Sequence, residues 1–142
     1  MAENTLVGAW KLVGYACKVG ERELDSPLGP DPVGYIVYTA DGHMSVQIAA
    51  AQRPHFASED LLGGTSEEKG AAADTYIAYC GTYELFDDRV VHHVEQSFFP
   101  NRVGTAQTRY YRLEGDRIEL ITPPILIDGE EQVCRISWER AR

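Results

Sequence analysis

Short turns between strand-forming segments constrain this fold more than any other feature of the sequence. Runs of about 5–10 residues rich in Val, Ile, Tyr and Thr recur along the chain, which is typical of strands. Links such as Asp87-Asp88 and Asp128-Gly129 are short, and Asp-Gly supplies the positive φ values that tight hairpins need. Short hairpins make neighbouring strands antiparallel. The predicted strands cover residues 6–19, 33–39, 43–50, 81–86, 90–99, 105–113, 117–122 and 131–140.

Eight antiparallel strands without alternating helices indicate an all-β domain, either a sandwich or a barrel. The length of 142 residues fits a single domain that spans residues 1–142 and can bury one closed core.

One segment departs from the strand pattern and predicts a single inserted helix over residues 66–79. Thr65 and Glu68 form a capping box, with Thr65 as the N-cap. Tyr76 and Tyr79 continue an apolar stripe at helical spacing. Such a helix either closes one mouth of a barrel or packs on its outer wall.

The charge balance excludes several classes of partner. Thirteen Lys and Arg against 22 Asp and Glu give a net charge of −9, which disfavours binding to nucleic acid or to an anionic membrane surface. No apolar run approaches the roughly 20 residues of a membrane span. The N-terminus lacks the basic and apolar regions of a signal peptide, so the expected location is cytoplasmic.

The three cysteines predict buried free thiols. Cys17, Cys80 and Cys134 lie far apart, form no Cys-x-x-Cys pair and have no zinc-ribbon spacing. An odd number of cysteines in a cytoplasmic chain favours reduced thiols over a disulfide.

Several motifs carry a resemblance to a known family. Gly8-Ala9-Trp10 lies in the first predicted strand and resembles the Gly-x-Trp motif of lipocalins and their relatives. Other stretches resemble a narrower group, the short bacterial and fungal proteins with a lipocalin-like domain. The resemblance covers nearly the whole chain. The matching stretches are residues 6–12, 27–29, 34–39, 41–46, 76–79, 81–83, 92–95 and 99–101.

The resemblance implies an all-β fold: a single antiparallel, eight- to ten-stranded lipocalin-like barrel with an interior pocket and one inserted helical segment. In such barrels the Trp closes the base against an Arg of the last strand, which here is Arg135 or Arg140. The family implies no single reaction, because its barrels serve as carriers and as cofactor-free enzymes on hydrophobic metabolites. The chain lacks the signal peptide and disulfide pair of secreted lipocalins, which weighs against extracellular transport.

The strand over residues 90–99 carries the most candidate chemistry. His92 and Gln96 share one face with three apolar residues, whereas His93 and Glu95 share the other face with two. This difference slightly favours His92 and Gln96 pointing inward. If the other face is interior, His93 and Glu95 lie about 7 Å apart and can flank a substrate as acid and base.

A buried imidazole needs a hydrogen-bond partner, and tyrosine hydroxyls are the expected ones. The chain has eight tyrosines and only four phenylalanines, and each buried Tyr hydroxyl must be wet or paired. The candidate ligand-binding tyrosines are Tyr38, Tyr79, Tyr83 and Tyr111.

Arg109 is a candidate anchor for a carboxylate or enolate oxygen. It shares a strand face with Tyr111. If that face is interior, the guanidinium offers two parallel donors to an anionic oxygen. The competing interpretation is a solvated Arg on the outer face.

No metal and no cofactor are expected. Adjacent His92 and His93 point to opposite faces and cannot share an ion, and the sequence contains no His-x-His. No phosphate-binding glycine motif and no Gly-x-Ser-x-Gly elbow is present, which disfavours hydride, phosphoryl and acyl transfer.

Two functions follow as hypotheses, both with a small hydrophobic or aromatic metabolite as the partner. The first is a cofactor-free cyclase, isomerase or dehydratase, with His92, His93 and Glu95 as catalytic residues and a Tyr hydroxyl at the developing oxyanion. The second is a carrier without chemistry. Association into a homodimer stays open. The candidate ligand-binding residues are Tyr38, Tyr79, Tyr83, Gln96, Arg109 and Tyr111.

Overall fold

The computed structural model describes residues 4–142 and contains ten strands and one α-helix in that range. The helix α1 is Ser66–Asp74, and a single 3₁₀ turn covers Pro100–Arg102. The strands are β1 (Gly8–Val19), β2 (Arg22–Asp25), β3 (Val33–Tyr38), β4 (His43–Ala49), β5 (Tyr76–Leu85), β6 (Arg89–Ser97), β7 (Ala106–Glu114), β8 (Arg117–Ile121), β9 (Ile125–Ile127) and β10 (Glu130–Arg140).

Eight strands form a closed antiparallel barrel, as predicted. The sheet runs in the order β2-β1-β3-β4-β5-β6-β7-β8-β10-β9, and pairing of β1 with β10 closes it. The short strands β2 and β9 are additions to this barrel, and sequence reasoning missed both. Closure leaves the eight barrel strands without a free edge, which removes the surface that a strand-pairing partner would need.

Two β-bulges change which residues face the interior. In β1 the register with β10 shifts between Leu12 and Gly14. In β6 it shifts because Cys80 pairs with Gln96 while Gly81 pairs with Val94, so that Glu95 is the extra residue. Each bulge advances the inward/outward alternation by one residue.

Trp10 closes one end of the barrel. Its side chain is completely buried, and Nε1 donates a hydrogen bond of 2.9 Å to the carbonyl oxygen of Leu6. The guanidinium of Arg140 lies 4.3 Å from the centre of the indole and also donates to the Val7 carbonyl. Arg140 is therefore the arginine of the last strand that packs on Trp10. Arg135 instead pairs with Glu119 on the outer surface.

The helix prediction was right at its start and wrong at its end. Thr65 and Glu68 form the expected capping box, but α1 ends at Asp74. Tyr76 begins β5, and Tyr79 lies inside the barrel opposite Val46. No residue of α1 is buried, and within residues 4–142 no helix is long and apolar enough to span a membrane.

The prediction of three free thiols was also wrong. Cys17 and Cys134 are directly opposed on β1 and β10 and form a disulfide, while Cys80 is free. The two cysteines are 117 residues apart in sequence, and only closure of the barrel brings them together. Disulfides are typical of oxidising compartments, and the compartment of this protein stays a prediction.

Candidate ligand-binding site

An interior cavity lies between the Trp10 end and the opposite end of the barrel, which we call the mouth. Its apolar wall comes from successive inward positions of five strands. The part of the cavity that the centre of a water molecule can reach is about 40 Å³. The apolar lining includes Ile36, Val46, Ile48, Leu120 and Ile136.

His92 lies at the centre of the barrel and is held by two tyrosines. The side chain is 1% exposed. The Tyr38 hydroxyl lies 2.7 Å from Nε2, and the Tyr79 hydroxyl lies 2.7 Å from Nδ1. Both tyrosines are themselves buried, so the three side chains form one polar group within an apolar interior.

The bonding of Tyr38 assigns the proton on His92. Within residues 4–142 the Tyr38 hydroxyl has no hydrogen-bond partner other than Nε2, and it is fully buried. The Tyr79 hydroxyl likewise has Nδ1 as its one partner within these residues, but Tyr79 lines the cavity and Tyr38 does not. The neutral tautomer in which Tyr38 donates to Nε2 is therefore favoured, because it leaves the unshared hydroxyl proton facing the cavity, where a ligand can accept it. A neutral imidazole then carries its proton on Nδ1 and donates to Tyr79. This leaves the Tyr79 hydroxyl proton free to point into the cavity.

The interior keeps His92 neutral. Burial, the charge of Arg109 and the neighbouring His93 lower the pKa of His92 to about 3. Burial likewise raises the pKa of Tyr38 well above its ordinary value, so that it remains a neutral donor. At neutral pH the Tyr38–His92–Tyr79 group therefore carries no charge.

Arg109 faces the cavity. Its β7 position pairs with Val90, whose side chain is also interior, and Arg109 is 5% exposed. Nη1 donates a hydrogen bond of 2.8 Å to the Thr108 carbonyl. Arg102 reaches the same cavity from the loop after β6, with its guanidinium 5.7 Å from the centre of the Tyr79 ring. Burial and the charge of Arg109 lower the pKa of Arg102.

Trp138 lines the cavity and carries a buried N–H without a partner. The side chain is 1% exposed, and it lies opposite Leu12 on the inner face of β10. Its Nε1 is the one buried side-chain nitrogen or oxygen within residues 4–142 that has no hydrogen-bond partner. An indole N–H in this state costs free energy unless a ligand or water accepts from it.

Three predicted site residues of β6 lie away from the cavity. His93 lies on the outer face, where Nε2 is 2.7 Å from a carboxylate oxygen of Glu84. Glu95 and Gln96 are both exposed. The inward position expected for Gln96 was wrong, because simple alternation along residues 90–99 breaks at the bulge.

Two predicted tyrosines lie inside the barrel wall but do not line this cavity. The Tyr83 hydroxyl donates to the Thr39 carbonyl at 2.6 Å, near the Trp10 end. The Tyr111 hydroxyl donates to the Phe86 carbonyl at 2.8 Å. Of the predicted binding residues, Tyr79 and Arg109 line the cavity, and Tyr38 supports it through His92.

Sequence reasoning missed four polar lining residues. The signal for Trp138 was available, since it shares a face of the last strand with Cys134 and Ile136 and alternates with polar residues. Arg102 lies in a loop and carries no periodic signal. The missed residues are Tyr15, Arg102, Thr122 and Trp138.

Within residues 4–142 no three His, Cys, Asp or Glu side chains come close enough together to hold a metal ion.

A closed antiparallel barrel with a Trp–Arg pair at one end and an interior cavity defines the class of lipocalin-like barrel domains. Residues 7–141 match the family described as "Lipocalin-like domain", and the chain belongs to that family. A curated relative is the "4'-hydroxy-3'-methoxypropiophenone carrier protein ppsC" of Aspergillus oryzae (strain ATCC 42149 / RIB 40). It is 36% identical over 106 residues, which cover 68% of this chain and 96% of the relative. No solved structure gives a significant match.

Proposed function

We propose that this protein is a carrier for a small aromatic metabolite and performs no chemistry on it. The observation that carries the proposal is the bonding of His92, whose two ring nitrogens are both occupied by tyrosine hydroxyls. A carrier needs polar groups fixed in orientation, and this arrangement fixes them. An acid–base enzyme needs a group that can exchange a proton with the substrate.

The electrostatics of His92 support binding over catalysis. A general base works best when its pKa is near the operating pH. The pKa of His92 is about 3, so at neutral pH the imidazole has little tendency to accept a proton. His93 and Glu95, the other two members of the hypothetical catalytic set, lie outside the cavity.

The apolar walls and the limited free space favour one substituted ring as the cargo. About 40 Å³ of the cavity can be reached by the centre of a water molecule, well below the usual range for ligand pockets of about 300–1,000 Å³, so a ring enters only when lining side chains move. The hydrogen-bond donors in the cavity fit a ligand that has oxygen atoms as acceptors. The relative is named for carriage of an aromatic ketone with hydroxyl and methoxy groups, which agrees with a cargo of this kind.

The test combines binding with recovery of the ligand. The protein is titrated with 4'-hydroxy-3'-methoxypropiophenone while its tryptophan fluorescence is followed, because Trp138 lines the cavity. The bound compound is then extracted and analysed by mass spectrometry. We expect saturable binding at one site per chain and recovery of the unchanged compound.

A matched pair of variants locates the site. Ile77→Trp adds volume at the mouth of the cavity, whereas Leu126→Trp adds the same side chain at an exposed position. The first variant should lose binding and the second should keep it. Equal binding by both variants would place the ligand elsewhere. Recovery of an isomerised or dehydrated product only after incubation with the protein would overturn the carrier proposal.

A further inference from the structure

The cavity carries positive charge that no acidic side chain balances. Arg109 is almost completely buried and Arg102 is half-buried, and both line the cavity. None of the ion pairs within residues 4–142 includes the guanidinium of Arg109 or that of Arg102. A buried cation without a counter-ion is strongly unfavourable unless something else supplies the negative charge.

The other polar groups in the cavity are also donors. Arg109 has five N–H groups and forms one hydrogen bond within the described chain, to the Thr108 carbonyl. Trp138 offers an unpartnered indole N–H. Tyr79 also lines the cavity, and in the tautomer in which His92 donates to its oxygen its hydroxyl proton is available to a ligand. A ligand complementary to this set must supply acceptors, and an ionised oxygen acid supplies both the acceptors and the negative charge that the two guanidiniums lack.

We propose that the cavity selects aromatic anions: a single ring whose carboxylate or phenolate oxygen lies against Arg109, with Arg102 at the mouth. The inference deepens the proposed carrier function and rests on it. The apolar wall holds the ring, and the two guanidiniums replace the water that the anion loses. Charge-assisted hydrogen bonds of this kind are about twice as strong as neutral ones.

The charge of the whole molecule does not oppose this selection. The net charge is −9, which repels an anion at long range. Exposed charges are screened over about 8–10 Å at ordinary ionic strength. Inside the cavity screening is weaker, so the two nearby guanidiniums dominate the potential that a bound ligand experiences.

The first experiment compares benzoate with benzamide by calorimetric titration of the unmodified protein at neutral pH. The two molecules have nearly the same shape, but only benzoate is charged. We expect benzoate to bind about tenfold more tightly or better, as one charge-assisted contact implies. Equal affinity, or tighter binding of benzamide, would contradict selection of carboxylates, and the same failure with phenols would overturn the anion proposal.

The second experiment tests phenols through colour. The 4-nitrophenolate ion is yellow and the neutral phenol is nearly colourless. At a fixed pH where both forms are present, a site that prefers the anion increases the yellow absorbance when protein is added. A site that prefers the neutral phenol decreases it, and that result contradicts selection of phenolates. An increase with nitrophenol but no benzoate preference would restrict the cargo to phenolates.

Three variants assign the effect to the cavity. Arg109→Met and Arg102→Met remove one interior charge each, and Arg112→Met removes an exposed charge from the same strand as Arg109. Arg109→Met should abolish the benzoate preference and Arg102→Met should reduce it. Arg112→Met should change neither. An unchanged preference in Arg109→Met would overturn the assignment of the anion to Arg109.

The outcomes separate this inference from the carrier proposal. If benzamide and the neutral methyl ether 4-nitroanisole bind as well as the anions, the cavity is a carrier site without charge selection. If no aromatic compound binds, the carrier proposal itself fails. Because the probe comparison uses the unmodified protein, it remains decisive even if a variant does not fold.

Discussion

Trp10 combines three contacts that together fill the closed end of the barrel. The ring is fully buried, its N–H is bonded to the Leu6 carbonyl, and Arg140 covers its outer face. We expect Trp10→Ala to lower the free energy of unfolding by about 3–5 kcal/mol, because the end of the core would become a cavity. Urea denaturation measures this loss. Trp10→Phe should lose less, since most of the apolar volume remains.

His92 makes the stability of the protein depend on pH. Its pKa is about 3 in the folded state against an ordinary value of 6.5. Between these values the unfolded chain binds the proton and the folded chain does not, so stability falls as the pH falls below 6.5. Between pH 7 and pH 5 the loss from this residue is about 2 kcal/mol.

Urea denaturation at pH 7 and pH 5 isolates this contribution. In His92→Gln the loss on acidification should be about 2 kcal/mol smaller than in the unmodified protein. His93→Gln is the control, because His93 lies on the outer face beside Glu84. If both variants lose the same unfolding free energy between pH 7 and pH 5, the folded protein does not hold His92 in its neutral form.

At the scale of elements, the β6 bulge depends on a glycine in the neighbouring strand. A Cβ on Gly81 would lie 1.9 Å from the carbonyl oxygen of His93, so no side chain fits there. We expect Gly81→Ala to destabilise the protein by about 1–3 kcal/mol or to shift the β5–β6 register. The free energy of unfolding and the backbone amide shifts measure the two effects.

Gly70 provides the matched control for Gly81. It lies inside α1, where an added Cβ would meet nothing within 4 Å. Gly70→Ala should therefore be neutral or stabilise by up to about 1 kcal/mol, because Ala favours helix more than Gly does. A comparable loss in both variants would mean that glycine flexibility, and not the close approach at Gly81, is what matters.

The end of α1 shows how one element can be misread. Tyr76 and Tyr79 are three residues apart, which fits a helix face, while Ile77, Tyr79, Gly81 and Tyr83 alternate as in a strand. Local periodicity alone cannot separate these patterns when both fit. Pairing of β5 with β4 decides for the strand, because it places Tyr79 inside the barrel beside His92.

At the scale of the whole molecule, the Cys17–Cys134 disulfide joins the first and last barrel strands. Such a link closes most of the chain and restricts the unfolded state. We expect the Cys17→Ala/Cys134→Ala double variant to lose about 2–5 kcal/mol of unfolding free energy. Reductant should produce a similar loss in the unmodified protein, and Cys80→Ser should not. A protein whose stability is indifferent to reductant contradicts the disulfide.

The cation inside the barrel should cost stability when no ligand is bound. Arg109 has one hydrogen bond and no ion pair within residues 4–142. Replacing a buried charge with an apolar side chain of similar length is often stabilising, by about 1–4 kcal/mol. We therefore expect ligand-free Arg109→Met to melt at a higher temperature than the unmodified protein. A lower melting temperature would mean that Arg109 is part of the structural core.

The strand pattern and the short turns determined much of this protein by themselves. They predicted antiparallel strands and, with the motif around Trp10, a closed barrel with one capped helix. These features are encoded locally, since a hairpin or a capping box involves residues only a few positions apart. The same local pattern also indicated that His92 would point inward and would need tyrosine partners.

Only the tertiary structure decided the composition of the site. The register between β5 and β6 creates the bulge that turns Gln96 outward, and the closure of β1 on β10 pairs two distant cysteines. It also places Arg109 and the loop residue Arg102 in one cavity. The physical reason is that register and closure depend on strands far apart in sequence, whereas hydrophobic alternation reports only on the neighbours of each residue.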